Sequence, residues 1–166
     1  MGTASNVIVG SATLSIKNPY DTGSYAESGY TVEGVNLNYS GDVNDLIPDE
    51  ETVAIKRTII KEEITISCQM HEATLANLAA ALAGADDDTT RTIKLGNKPM
   101  QEIAVKIVGT SPTASYTVRT IECTKGNPVG AVGIAYKKGE SNMIPFEFKA
   151  LVPDSGDVCT IVDSAT

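Results

Sequence analysis

The spacing of apolar residues changes abruptly once in this chain, and that change limits the folds open to it. From Ile64 to Met70 the pattern alternates, with Ile64, Ile66, Cys68 and Met70 on one side and Thr65, Ser67 and Gln69 on the other. Such a period of two marks a half-buried strand. From Leu75 the period becomes helical: Leu75, Leu78, Ala79 and Leu82 fall at i, i+3, i+4 and i+7 and predict the packing stripe of a helix over 72–83. Alanine, the strongest helix former, fills most of the remaining positions, and Gly84 stands where a left-handed stop is needed. No other stretch has this period, and β-type patterns lie on both sides of it. The expected fold is therefore mainly β with one α-helix: two packed antiparallel sheets, sandwich- or barrel-like, flanked by the single helix.

The other strands follow from alternation and turn signals. Residues 1–11 read as an N-terminal arm, and Ala12 to Lys17 as a short strand. Asn18 to Gly29 is turn-rich and reads as a surface loop. Val35, Leu37 and Tyr39 alternate with polar residues as a second strand. Beyond Tyr39 the chain turns acidic and loses its period, which predicts a protruding hairpin or loop over 40–55. Leu46 and Ile47 at its centre either meet a partner surface or fold back onto their own domain. Asp42, Asp45, Leu46, Ile47, Asp49, Glu50 and Glu51 are the candidate contact residues. Lys56 to Glu63, of mixed charge, reads as an edge facing solvent or a neighbour.

After the helix everything reads β. Strands at 92–95 and 103–109 are expected to form a hairpin through Gly96-Asn97-Lys98-Pro99. A strand from Tyr116 to Thr124 should end at Lys125-Gly126-Asn127-Pro128, followed by a Gly-punctuated strand from Val129 to Tyr136. Ile144, Phe146, Phe148 and Ala150 alternate cleanly, and a short closing strand is expected over 157–162.

At 166 residues the chain reads as a single domain, 1–166, long enough to bury a core. Twenty-one acidic against thirteen basic residues give a net charge of -8. That balance disfavours attachment to a phosphate backbone, which needs clustered Lys and Arg. It does not exclude a protein that DNA passes without sticking. Met1 to Ser11 has neither the basic start nor the apolar run of a signal peptide, and no stretch is long enough to span a membrane. Three scattered cysteines without C-x-x-C spacing read as buried, reduced thiols.

Chemistry-bearing motifs are scarce. His71 is the sole histidine. Cys68 lies three residues before it, yet Cys68 belongs to the apolar face of a strand and no second Cys/His pair could complete a metal site. Asp86-Asp87-Asp88 lacks the spaced ligands of a calcium loop. There is no nucleophile elbow and no phosphate loop. No catalytic, metal or cofactor residue is expected, and neither is an enzyme.

Taken in order, Glu33-Gly-Val-Asn-Leu-Asn-Tyr39, the acidic segment, the charged run to Glu63 and Ile64 to Gly84 resemble the tail tube (major tail) proteins of long-tailed bacteriophages. That family has an alternating strand leading into a helix of the form E-A-T-L-x-N-L-x-x-A-L-x-G, here Glu72 to Leu75, Asn77-Leu78, Ala81-Leu82 and Gly84. The aromatic pair Phe146 and Phe148 in a late strand also suits it, and the likeness covers roughly residues 7 to 162. The resemblance implies a virion structural subunit, made in the bacterial host cytoplasm, that self-assembles into stacked hexameric rings. Their β-lined lumen conducts the genome into the host cell. It implies homo-hexamer contacts through the 40–55 segment, ring stacking through both termini, and tape measure, terminator and initiator proteins as partners. No cofactor, no membrane binding and no appended immunoglobulin-like domain are expected. Two other readings stay open on the residues alone. One is the tube of a contractile injection or secretion machine. The other is a monomeric β-sandwich binding a small molecule or glycan through Tyr20, Tyr25 and Tyr30.

Overall fold

The alternation at Ile64–Met70 is the inner end of a much longer strand. Residues 10–17, 24–82, 85–87, 92–96, 100–112, 115–134, 136, 138–139 and 141–165 are described by a computed structural model, with 85–87 as backbone only. They contain β1 (Thr13–Lys17), β2 (Ala26–Glu27), β3 (Thr31–Leu46), β4 (Lys56–Met70), α1 (Leu75–Ala81), β5 (Ala85–Asp87), β6 (Thr92–Lys94), β7 (Ile103–Thr110), β8 (Val118–Val129), β9 (Ile144–Ala150) and β10 (Cys159–Ser164). The chain is mainly β with a single helix among these residues, as its patterns require.

The strands do not divide into two packed sheets. Eight of them form one antiparallel sheet in the order β2-β1-β7-β8-β9-β4-β3, with β10 joining β8, and β5 and β6 pair separately. Laid flat, the six intervals from β2 to β3 would span about 29 Å. Only residues 28–30 connect those two strands, and four Cα steps reach at most about 15 Å. The sheet must therefore curl until its edges approach, and β1 does come close to β3. Curling wraps the apolar faces around one core, where Leu14, Ile66, Met70, Val105, Cys123, Ile144, Phe146 and Phe148 are almost wholly buried.

Five expectations change. β6 pairs with β5, and β7 pairs with β1 and β8, so 92–95 and 103–109 are not a hairpin. Ile103, Ala104 and Val105 are all buried, and a strand buried on both faces sits inside a sheet. Of the turn proposed between them, residues 97–99 lie outside the described residues. The segment 125–128 is not a turn but the far half of β8. There β8 exchanges one neighbour for another along the same edge: Cys123 pairs with Cys159 of β10, whereas Gly126 to Val129 pair with β9. Gly126 is required because Phe148 crosses its backbone; an added Cβ would lie 2.3 Å from Phe148 Cζ and 2.4 Å from the Lys149 carbonyl. Between 130 and 136 the described residues are no strand, and the closing strand runs over Cys159–Ser164 rather than 157–162. The loop at 18–29 contains β2.

The helix is shorter than 72–83 and is rotated from the expected stripe. Thr74 caps it by accepting from the Asn77 N–H at 3.2 Å, and Leu82 ends it; Gly84 lies outside the described residues. Ala79 is buried as expected, but so are Asn77, Ala80 and Ala81, while Leu78 and Leu82 are half-buried and Leu75 is exposed. The reason is a polar anchor. Asn77 Nδ2 donates to the carbonyls of Ser28 and Glu72, each at 2.8 Å, and Ser28 in turn bonds the Leu14 carbonyl through both N–H and hydroxyl. This fixes the helix with its small alanines against the sheet, where a leucine would hold it away.

Candidate assembly surface

β9 covers β4 only along Thr65–Met70. Outward of that, Tyr39–Leu46 of β3 and Lys56–Ile64 of β4 have only each other as strand partners among the described residues. They form a two-stranded ribbon that leaves the body for about 25 Å, at roughly 3.4 Å per residue. The protruding loop expected over 40–55 is thus strand as far as Leu46 and again from Lys56, and only 47–55 is tip. The tip is closed by Ile55 N–H donating to the Leu46 carbonyl (3.0 Å) and by a turn in which Glu51 N–H donates to the Pro48 carbonyl (3.1 Å). Cross-strand pairing outcompetes a loop here because opposite charges fall in register, Asp42 with Lys61 and Asp45 with Arg57.

Arg57 clasps Asp45 with two bonds, Nε to Oδ1 at 2.6 Å and Nη2 to Oδ2 at 2.8 Å. Those bonds hold the Asp45 carboxyl below its usual range and raise the Arg57 guanidinium. Glu63 at the ribbon base is lowered by Lys149, 2.9 Å away on β9, with a smaller contribution from Lys61 at 3.5 Å. Tyr39 donates its hydroxyl to Glu62 at 2.7 Å, which raises the phenol.

The ribbon also carries the core-facing row outward. Val35, Leu37, Tyr39, Gly41 and Val43 alternate on one side of β3, with Val35 and Leu37 packed on the core. A register shift between Asp42 and Val43 leaves Ile60 as an extra residue and brings Ile59 opposite Val43 on that side. A Cβ on Gly41 would lie 3.5 Å from Tyr39 Oη and 3.9 Å from Ile59 Cγ2, so the three share one face. Yet Tyr39 is 58% exposed, Val43 49% and Ile59 52%. Leu46 and Ile47 are 56% and 55% exposed, so they do not fold back onto the domain. Around them Asp42, Asp49, Glu50 and Glu51 are exposed and Asp45 half-buried. All seven expected contact residues lie on this outer ribbon. Tyr39, Val43, Val53, Ile55, Ile59 and Ile60 are also exposed here and were not among the expected residues. The alternation of 35–43 was the signal for Tyr39 and Val43, masked by Gly41 and the intervening acids.

Elsewhere the chemistry stays dispersed. Cys68 is buried, which pushes its thiol up to about 11, whereas His71 is exposed with Nε2 3.0 Å from Ser141 Oγ. Cys68 thus faces the core and His71 the solvent. Tyr25 donates its hydroxyl to Glu122 at 2.6 Å beneath Lys106, 5.5 Å from the ring centre; burial and that bond both raise its phenol. It lines a cleft of about 430 Å³ in which Lys125 is already paired with Glu102 and Asp154. Tyr30 is on the helix side, its backbone bonded to His71 and Glu72, and Tyr20 lies outside the described residues. Tyr25 and Tyr30 therefore do not share a site. Asp86 and Asp87 are described as backbone only and Asp88 lies outside. Among the described residues no three His, Cys, Asp or Glu side chains gather as a metal site. No described helix is long and apolar enough to cross a membrane.

No protein-family model matches the chain, and no curated protein matches it.

Proposed function

We propose that this chain is a structural subunit of a bacteriophage tail tube, assembling into stacked hexameric rings whose lumen conducts double-stranded DNA. One observation carries the reading: the core-facing side of β3 and β4, interrupted at Gly41 and Glu62, continues into a projecting ribbon whose apolar residues Tyr39, Val43 and Ile59 are about half exposed to water. A monomer gains nothing from such a surface. A ring gains a repeated contact, because each subunit's ribbon is covered by the next. The charge supports the same role. At -8 the subunit offers passing DNA little attraction, and attractive contacts repeated along a tube would stall the strand. The order of strand, ribbon and E-A-T-L-A-N-L helix, Glu72 to Leu78, carries the family likeness.

Negative-stain electron microscopy of the purified protein over a concentration series tests this, beside a ribbon-trimmed variant. Asp42 and Lys61 are in register, so replacing 43–60 with Asn-Gly shortens the ribbon and closes it with a two-residue hairpin turn. Six-fold rings or hollow tubes are expected from the wild type, and a folded monomer from the variant. A wild type that stays monomeric throughout, or tubes unchanged by trimming, overturns the proposal.

A further inference from the structure

β10 pairs with β8 alone among the described strands, and in that pairing Cys159 stands directly opposite Cys123. Directly opposed residues of antiparallel strands have Cα atoms about 4.5–5.5 Å apart, inside the range a disulfide spans. Directly opposed residues share one face of the sheet, so the register sets the two thiols side by side. Their surroundings differ. Cys123 is fully buried in the core, with Val105 of β7 on its other side, while Cys159 is half-buried at the core margin. The third cysteine, Cys68, pairs with Val35 and Phe146 in another part of the sheet.

We infer that Cys123 and Cys159 form a dithiol that a small disulfide oxidant closes into an intrachain bond, clamping β10 onto β8. Neither phage assembly nor the ribbon is needed for this. Cys159 carries the more accessible sulfur, so it acts first. Its thiolate attacks one sulfur of glutathione disulfide and expels a glutathione thiolate. The Cys123 sulfur, giving up its proton, then attacks Cys159 Sγ in the mixed disulfide and expels the second glutathione. Two protein thiols are oxidised, one glutathione disulfide is reduced to two thiols, and the protons leave with them. The strand register holds the second sulfur in place, so closure outruns accumulation of the glutathione adduct. The bond ties off the chain between Cys123 and Cys159 and removes freedom from the unfolded chain.

The full-length protein is equilibrated with excess glutathione disulfide, then alkylated, denatured and analysed by thiol titration, intact mass and non-reducing peptide mapping. Titratable thiols are expected to fall from the three in the sequence to one, with a linked peptide joining Cys123 to Cys159. The melting temperature should rise by about 10 °C, a loop closure of this length acting on a chain of this size. Cys68→Ser keeps the shift and Cys159→Ser abolishes it. Three thiols remaining, a persistent glutathione adduct, a bridge to Cys68 or an intermolecular dimer would each overturn the inference. The wild-type peptide map decides the matter even where a variant folds poorly.

Discussion

Replacing Leu46 and Ile47 together by serine separates the two uses an apolar residue can have. Both side chains are slightly more than half exposed, so the folded monomer has little invested in them. Covering an aliphatic side chain completely contributes about 1.5–3 kcal/mol, so covering the exposed half of each contributes about 0.8–1.5 kcal/mol. For the pair that is about 1.6–3 kcal/mol at every contact, or about 15- to 140-fold in the association constant. Serine removes the area without adding charge, which keeps repulsion out of the comparison. Sedimentation velocity across a dilution series reads the assembly threshold, and thermal unfolding of the dilute protein reads the fold. The threshold should rise by one to two decades while the melting temperature stays within about 2 °C, since surface substitutions cost within about 0.5 kcal/mol. An unmoved threshold would refute the idea that the tip is covered in the assembly. A large fall in melting temperature would show the residues belong to the monomer's own core.

Asn77→Ala removes both 2.8 Å bonds and leaves the buried Ser28 carbonyl without its donor. A loss of about 2–4 kcal/mol is expected, read as a fall of roughly 5–15 °C in melting temperature; a neutral substitution would show that the helix is held by its alanines alone. Acid should loosen the ribbon before the body. Asp45 and Glu63 have folded pKa values below their unfolded ones, so their stabilisation is complete above the unfolded carboxylate value, about 4, and is lost as pH falls through the lowered folded values. Amide exchange along Lys56–Ile60 should accelerate below about pH 4 and be less pH-dependent in Asp45→Asn. Protection unchanged down to pH 2 would exclude the ion pair as the cause.

Where one residue pattern decided one element, the sequence was enough. Ile64 to Met70 and Ile144 to Ala150 each needed only a buried face, and alternation supplies that. Partner choice was not legible. Gly126 and Pro128 read as a turn because their local propensity is that of a turn, but β9 arriving from twenty residues later makes them strand. The helix was legible in existence, not in its start or its rotation, because Asn77 finds one of its acceptors on Ser28, far away in sequence. In the ribbon the acids hid a strand whose pairing depends on Lys56, Arg57 and Lys61 across it. The difference has practical weight: deleting only Asp42–Glu51 would leave Lys56 to Lys61 unpaired, so both strands must be trimmed together.

The position of β9 sets an order on how the protein is made. Emerging from the ribosome, β3 and β4 are neighbours in sequence and can zip together within microseconds. β1 must wait for β7, its Thr13 pairing with Val108, and the two halves of the sheet join only when Ile144 to Ala150 slot between β4 and β8. Such distant pairings close slowly. The ribbon with its exposed apolar residues is therefore finished while the body behind it is still open, and nascent chains crowded on one message present exposed apolar surface to each other before any of them is whole. Whatever delays that encounter, dilution or a companion protein over the ribbon, acts on the first half of the chain during synthesis of the second.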